Sequence, residues 1–262
     1  PIIDNSHYGA WSDEFANKGL FNKFDIGNSS QGRPIFALVN KKQTNHEWLV
    51  LIGRQHPPEV TGAIAMLSFA QSINTNTPKL KSFYDRFNVL IVPNLNPDGV
   101  ANGNWRHNVK GADLNRDWGK FVQIETKVVN DYLESLLQVT DNQTPKLVFA
   151  VDFHSTQQDI FYTMPADYDM AAGDFSENWL KAVKANTLSS FVVRNRPGSS
   201  PGRGVFKQFI ADTYRVPAIT YEVGDNTPLS LIEHVANISA DELIKLMLAT
   251  PKEDFDYKMI QD

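Results

Sequence analysis

Two histidines and one glutamate carry the most informative chemistry of this chain. His56 and Glu59 stand three positions apart in the segment His-Pro-Pro-Glu, and His154 follows much later in the sequence. Two imidazoles and a carboxylate are the His2Glu ligand set of catalytic zinc, which leaves one coordination position open for water or a substrate carbonyl. The His-x-x-Glu pattern also arises by chance, and His154 alone fits a core histidine. Together the three residues predict a site for one Zn²⁺ ion and a hydrolytic reaction.

Three further polar residues near these motifs, His107, Asp113 and Asp152, are spare potential metal ligands. Nothing in their spacing demands a second ion, so the prediction is a single zinc ion. Asp152, two residues before His154, is also a candidate hydrogen-bond partner for the imidazole nitrogen that faces away from the metal.

A glutamate in apolar surroundings is the next candidate. Glu222 lies in the segment Thr-Tyr-Glu-Val-Gly, inside an otherwise apolar predicted strand. Because burying a lone carboxylate is costly, the residue has an ion-pair partner, lies beyond the strand's end, or serves a reaction. In a hydrolase it can act as the general base, which takes a proton from the attacking water and delivers it to the leaving amine.

Two arginines, Arg106 and Arg116, lie ten positions apart in a long polar segment between two tryptophans, and Arg116 follows Asn115 directly. The segment fits a solvated surface loop, but its residues can also bind a substrate. One guanidinium can stabilise a developing oxyanion. The other can hold a carboxylate through paired hydrogen bonds, helped by the neighbouring amide.

The candidate residues share a position relative to the predicted secondary structure. His56 and Glu59 follow a buried apolar run at 48–53, and the two prolines between them suit the start of a helix. His154 falls just past another apolar run, and Glu222 lies near the end of a third. Since open α/β sheets bind ligands at the carboxyl ends of their strands, we expect these side chains to meet at that edge.

Strands alternate with helices along the chain, which predicts an α/β fold with a largely parallel sheet covered by helices on both faces. The chain has 262 residues, 42% of them hydrophobic, and contains no linker or repeat, so residues 1–262 are interpreted as one domain. Predicted strands cover 24–26, 34–39, 48–53, 88–93, 146–153 and 218–223, and predicted helices cover 60–73, 124–139, 175–187, 204–214 and 236–250.

The composition excludes several classes of protein and site. Without cysteine the chain has no disulfide, no thiolate zinc ligand and no cysteine nucleophile. A net charge of −5 argues against a nucleic-acid partner. No apolar run is long enough to span a membrane, so no membrane partner is expected. The first residues lack a basic and apolar leader, which predicts a cytoplasmic location.

The motifs occur in the order found in the zinc carboxypeptidase family, which this chain resembles over most of its length. The implied branch is non-digestive and bacterial-type, and the implied fold is a three-layer arrangement with a mixed sheet of about eight strands. The matching pieces are Gly27-Asn-Ser-Ser-Gln-Gly-Arg-Pro-Ile35, His56-x-x-Glu59, Asn96-Pro-Asp-Gly99, Arg106, Asp113-Leu-Asn-Arg-x-Trp118, His154 and Glu222.

The resemblance implies a role for each matched position and a mechanism in which zinc promotes the attack of water on a peptide bond. It implies zinc ligands at His56, Glu59 and His154, a general base at Glu222, a carbonyl-polarising guanidinium at Arg106, and a clamp for the substrate's terminal carboxylate at Asn115 and Arg116.

A basic cluster at 194–207 lies where the resemblance is incomplete. Digestive members of the family carry a substrate-binding tyrosine in this region, but residues 196–204 contain none. Lys207 lies fifteen residues before Glu222, near the position of the family's side-chain selector. The cluster fits a solvated loop; alternatively, Arg203 or Lys207 lines the specificity pocket and favours substrates that end in Glu or Asp.

Three functions remain open. The leading hypothesis is a metallocarboxypeptidase that removes a C-terminal, preferably acidic, residue from a peptide. A zinc deacylase of N-acyl amino acids, similar to desuccinylases and aspartoacylases, would use the same motifs, because such substrates also end in a free carboxylate. The third is a non-catalytic binding module on the same fold, although intact positions for the base and the arginines argue against it.

Overall fold

Eight strands form a single mixed sheet in the computed structural model of the chain, which describes residues 3–40, 46–139 and 144–258. The strands are β1 (Phe21–Asn28), β2 (Pro34–Asn40), β3 (Glu47–Gly53), β4 (Phe87–Val92), β5 (Lys146–Thr156), β6 (Ile160–Thr163), β7 (Asn195–Pro197) and β8 (Ala218–Gly224). Across the sheet they follow the order β1-β2-β4-β3-β5-β8-β6-β7.

The middle of this sheet is parallel and its edges are mostly antiparallel. β3 pairs in parallel with β4 and β5, and β5 pairs in parallel with β8. β3 and β4 are buried along their whole length, which explains their nearly continuous apolar sequence. The pairs β1–β2, β2–β4 and β6–β8 are antiparallel. The predicted α/β class with a mixed central sheet is confirmed.

Helices cover both faces of the sheet and create two hydrophobic cores. Met66, Trp179 and Leu243 belong to the core on one face, and Leu133 and Ile210 belong to the core on the other. No helix in the described part of the chain is long and apolar enough to cross a membrane. The helices are α1 (Asn5–Asn17), α2 (Val60–Ile73), α3 (Pro78–Tyr84), α4 (Pro97–Asn102), α5 (Ile124–Leu136), α6 (Phe175–Asn186), α7 (Phe206–Tyr214) and α8 (Leu229–Ala249), with 3-10 turns at Leu114–Arg116 and Lys252–Phe255.

The predicted end of the strand before His154 and the predicted start of the final helix are wrong, and the first of these concerns the site. The strand expected to end at residue 153 continues to Thr156, because its last residues still pair with β8, so His154 lies inside the strand rather than after it. The final helix begins at Leu229, well before the predicted residue 236. The short elements α1, α3, α4, β6 and β7 were not predicted, because their hydrophobic periodicity is brief or broken.

Two of the family-like motifs meet at one buried carboxylate. Asp98, in the Asn-Pro-Asp-Gly motif, is fully buried. It accepts hydrogen bonds from the Ser29 hydroxyl at 2.7 Å, the Gln31 backbone N–H at 2.7 Å and the Arg33 guanidinium at 2.8 Å. These contacts fix the turn between β1 and β2 against α4, so both motifs stabilise the fold.

The start of α2 lies directly against the strand that carries His154. A Cβ atom added to Gly62 would lie 2.2 Å from the carbonyl oxygen of His154, closer than atoms can approach without displacement. The Gly62 backbone N–H also donates to the Ser155 hydroxyl at 2.8 Å. Glycine therefore lets the helix that follows His56 and Glu59 reach the third predicted ligand.

Candidate metal centre

Glu59 stands immediately before the first residue of α2, where a side chain often caps the helix. Its carboxylate makes no capping hydrogen bond. One oxygen lies 2.7 Å from Nδ1 of His56, and the other lies 2.8 Å from Nδ1 of His154 and accepts from the Ser155 backbone N–H at 3.2 Å. The carboxylate of Glu59 thus contacts both imidazoles instead of capping the N-terminus of α2.

The three predicted metal ligands converge on one point. Ligand atoms of His56, Glu59 and His154 all lie within 4.8 Å of one another, and they form the one such group found among the described residues. The two Nδ1 atoms are 3.2 Å apart. A tetrahedral zinc ion with bonds of about 2.0–2.1 Å spaces its ligand atoms by about 3.3 Å. Both the donor types and this spacing fit zinc.

Two acids, the fully buried Asp152 and the partly buried Asp113, hold the imidazole nitrogens that face away from this point. Nε2 of His56 lies 2.8 Å from Oδ1 of Asp113, and Nε2 of His154 lies 2.8 Å from Oδ2 of Asp152. When Nε2 donates to a carboxylate, the lone pair of Nδ1 is left for a metal. Because both acids are engaged in this way, the arrangement favours one ion over two.

The charges around the imidazoles favour a cation at this point. Burial opposes a charged His154, but the carboxylates of Asp152 and Glu59 outweigh burial and raise the pKa of His154 well above its usual value. Burial would also raise the pKa of Glu59, but His154 and His56 lower it to about 2. Carboxylates that attract a proton to this centre also attract a divalent metal ion.

Glu222 faces the same centre from the neighbouring strand. It pairs in register with His154, so the two side chains leave the same face of the sheet. Its Oε2 atom is buried and has no hydrogen-bond partner among the described residues. Burial raises the pKa of Glu222 to about 7, against the opposing charge of His154. A carboxylate that titrates near neutrality is suited to accept a proton and return it.

A cavity of about 450 Å³ opens in front of these side chains. A slightly larger cavity of about 500 Å³, between α6 and the end of α8, is lined by none of the predicted site residues. Size alone therefore does not identify the site. The predicted residues that line the 450 Å³ cavity are His56, Glu59, Arg106, Asn115, Arg116, His154, Lys207 and Glu222.

Arg106 is linked to the candidate metal ligand His56 through Asp113. Its Nε donates to Oδ2 of Asp113 at 2.8 Å, while the other carboxylate oxygen contacts His56. Burial would raise the pKa of Asp113, but His56 and Arg106 lower it below its usual range. One carboxylate thus positions both an imidazole and the guanidinium that lines the cavity.

Asn115 and Arg116 lie on a short turn that is held against α7. Oδ1 of Asn115 accepts from the Phe206 backbone N–H at 2.9 Å. A Cβ atom on Gly204 would lie 2.3 Å from the Arg116 carbonyl oxygen, so the two segments touch through their backbones. This contact brings the predicted carboxylate clamp beside the helix that carries Lys207.

Lys207 is a buried cation at the cavity wall, with only 5% of its surface exposed. Its ammonium donates to the carbonyl oxygens of Gly198 and Thr163, the latter at 3.3 Å. Burial lowers the pKa of Lys207 to about 8, so the side chain remains largely charged at neutral pH. Arg203, the alternative predicted selector, is exposed and does not line the cavity.

Residues outside the predicted set also line the cavity. Arg196 and Tyr162 face each other in register on β7 and β6, and Thr220 pairs with Tyr162 from β8. Arg196 belongs to the basic cluster, but no sequence signal separated it from its neighbours. Tyr162 and Thr220 lie in ordinary strand sequence, so only the pairing of the strands places them at the site.

Comparisons with known proteins agree with this geometry. A sequence profile of the family described as zinc carboxypeptidase matches residues 8–234. The chain belongs to this family. The match contains all three residues of the metal centre and the cations of the cavity. Two histidines and a glutamate are a known ligand set of catalytic zinc, so the three residues agree with the description of the family as zinc carboxypeptidases.

Individual relatives share parts of the chain. Human cytosolic carboxypeptidase 1 is 39% identical over 74 residues, which are 28% of this chain and 6% of that protein. Human cytosolic carboxypeptidase 2 is 32% identical over 134 residues, which are 48% of this chain and 15% of that protein. The chain therefore spans only a small part of the length of these two cytosolic carboxypeptidases.

A solved structure shares the fold across nearly the whole chain. It is a metallo-carboxypeptidase from Pseudomonas aeruginosa in complex with (2-guanidinoethylmercapto)succinic acid. The TM-score is 0.76 with 19% sequence identity, over 94% of this chain and 69% of that one. At this level of identity the likeness supports the family's fold.

Proposed function

We propose that this chain is a zinc-dependent metallocarboxypeptidase that removes the last residue of a peptide. The observation that carries the proposal is the content of one cavity. It combines a His2Glu centre, a carboxylate with a raised pKa and several cations suited to a substrate's carboxylates. We also propose that the sheet and its helices act as one catalytic domain, and that the chain works in the cytosol, as the names of its curated relatives suggest.

A zinc ion bound by His56, Glu59 and His154 would polarise the scissile carbonyl and make its bound water more acidic. Glu222 takes one proton from the attacking water as the water oxygen bonds to the carbonyl carbon. It then delivers this proton to the amide nitrogen as the carbon–nitrogen bond breaks. Arg106 donates hydrogen bonds to the carbonyl oxygen while negative charge develops on that oxygen.

A peptide that ends in an acidic residue carries a terminal carboxylate and a side-chain carboxylate, and we assign these to separate cations. Arg116, with the amide of Asn115, binds the terminal carboxylate, because a guanidinium fork matches a carboxylate in geometry and charge. Lys207 pairs with an acidic side chain of the last residue. Among the described residues Lys207 has no carboxylate within ion-pair distance, so an acidic side chain supplies the missing charge.

The experiment compares peptides that differ only in a C-terminal Glu, Gln, Lys or Phe, with and without a chelator, read by mass spectrometry. We expect cleavage that the chelator abolishes and zinc restores, with Glu preferred over Gln by about 10- to 100-fold, the worth of a hydrogen bond to a charged group. The Lys207→Met variant should lose this preference. Lys207→Arg retains the charge, and Arg203→Met removes an exposed charge outside the cavity, so both should keep the preference.

Two outcomes would overturn parts of the proposal. A preference for Phe or Lys in the unmodified chain would eliminate the role of Lys207 but leave the carboxypeptidase activity standing. Hydrolysis of N-acyl amino acids without cleavage of any peptide would replace the proposal with a deacylase.

A further inference from the structure

Gln55, the residue before His56, carries a buried amide that hydrolysis itself does not use. The residue is fully buried and lies two positions after the end of β3. Its backbone carbonyl accepts from the side-chain amide of Asn96 at 3.0 Å, which anchors the main chain independently of the Gln55 side chain. The Gln55 side chain is therefore not needed to hold the main chain, and its hydrogen bonds are available for a role beside the candidate metal centre.

Trp118 fixes which way the Gln55 amide points. An indole N–H can only donate, so it must face the oxygen of the amide. Nε1 of Trp118 donates to Oε1 of Gln55 at 2.9 Å. The amide nitrogen is then directed to Asp152 and donates to its Oδ2 at 2.7 Å. Exchanging the oxygen and nitrogen would leave both contacts without a proper donor and acceptor pair.

Asp152 depends on these donors because it is fully buried. Its Oδ2 accepts from Gln55 and contacts Nε2 of His154, whereas its Oδ1 has no hydrogen-bond partner among the described residues. A buried carboxylate that loses a donor is strongly disfavoured, and it must move or change its contacts. Such a movement would release the imidazole of His154, which Asp152 orients.

We propose that Gln55 is a positioning residue for the zinc site. Its amide, oriented by Trp118, holds Asp152 against Nε2 of His154 and so keeps Nδ1 of His154 directed toward His56 and Glu59. The inference rests on the proposed zinc-dependent function. Mutating a residue that orients a metal ligand without touching the metal commonly lowers metal affinity by about 10- to 100-fold, which sets the expected effect.

The test measures zinc affinity in folded protein rather than activity. Gln55→Met keeps the shape of the side chain and removes its hydrogen bonds, while Gln55→Asn keeps an amide too short to span Trp118 and Asp152. Zinc dissociation constants come from competition with a chelating dye, and the visible spectrum of the cobalt-substituted protein reports the geometry of the ligands. We expect both variants to bind zinc about 10- to 100-fold more weakly, with altered cobalt bands.

A matched control separates positioning from folding. Asn130 is also a buried amide that donates to a carboxylate, that of Glu134 at 3.0 Å, but it lies on α5 and does not line the cavity. Asn130→Leu removes a buried amide away from the site, so it should leave zinc affinity and the cobalt spectrum unchanged whatever its effect on the melting temperature of the metal-free protein.

The possible results lead to different conclusions. If the folded Gln55 variants bind zinc as tightly as the unmodified chain, the positioning role is wrong while the proposed function stands. If Gln55→Met does not fold, the Gln55→Asn variant decides alone. If the unmodified chain itself binds no zinc, the proposed function fails and this inference fails with it.

Discussion

The two sides of the cavity are built differently. On the metal side, His56 and His154 are 2% and 1% exposed, and a carboxylate holds the outward nitrogen of each. On the substrate side, the side chain of Arg106 is 38% exposed and Arg196 is exposed as well. The imidazoles of the candidate metal side are therefore held from behind, whereas the cations of the proposed substrate side are partly exposed.

The difference between the two sides agrees with what each is proposed to bind. A metal ion needs several donor atoms at fixed distances, so its ligands must be held from behind. The proposed substrate-binding arginines are partly exposed, and each is held by one contact among the described residues, Arg106 by Asp113 and Arg116 by the Asn115 carbonyl oxygen, so the ends of these long side chains can still adjust. Lys207 differs from them because it is buried and held by backbone carbonyls. Variants on the two sides should therefore affect different measured quantities.

The largest effect is expected from Glu222→Gln, at the boundary of the two sides. Glutamine has nearly the same shape but cannot accept and return the proton, so kcat should fall by about 10²- to 10⁴-fold. Zinc content should not change, because Glu222 is not in the ligand group. Initial rates and elemental analysis on the same preparation measure both. Glu233→Gln, an exposed change on α8, is the control; full activity of Glu222→Gln would exclude the mechanism.

An intermediate effect is expected from Arg116→Ala, on the substrate side. Losing a charged hydrogen bond to the terminal carboxylate should raise KM by about 10- to 100-fold. Zinc affinity should be unaffected, because no metal ligand contacts Arg116 in the described structure. Steady-state kinetics with a peptide and with its C-terminal amide provide the measurement, and Arg203→Ala is the exposed control. A variant that loses zinc affinity instead would show that the two sides are not separable.

The smallest effect is expected in the pH dependence of selectivity. Burial lowers the pKa of Lys207 to about 8, so the ammonium loses its charge as the pH rises through that value. The ratio of kcat/KM for peptides ending in Glu and Gln should therefore decline above pH 8, because kcat/KM reports titration of the free enzyme. In Lys207→Arg the ratio should stay level, since a guanidinium does not deprotonate in this range. A ratio independent of pH in the unmodified chain would contradict the assignment.

The predictability of each site residue depends on whether its signal lies within one segment of the chain or between segments. His56 and Glu59 are close in sequence and follow an apolar strand, so their convergence was predictable. The sequence placed His154 and Glu222 only at the same edge of the sheet, whereas the structure pairs them in register. Both strands extend past these residues, β5 to Thr156 and β8 to Gly224. The sequence offers Arg203 and Lys207 as alternative selectors, and the spacing to Glu222 points to Lys207. The structure separates the two, because the helix that begins at Phe206 buries Lys207 while Arg203 stays on the exposed loop.

By itself, the sequence determined the α/β class, the His2Glu donor set and the family, because hydrophobic periodicity and short motifs are local properties. Only the tertiary structure decided that Asp113 links His56 to Arg106, that Gln55 contacts the carboxylate behind His154, and that Lys207 rather than Arg203 lines the cavity. These contacts join residues from separate strands and loops. Their existence depends on strand pairing and on close backbone approaches, such as that of Gly62 to His154, which no single segment encodes.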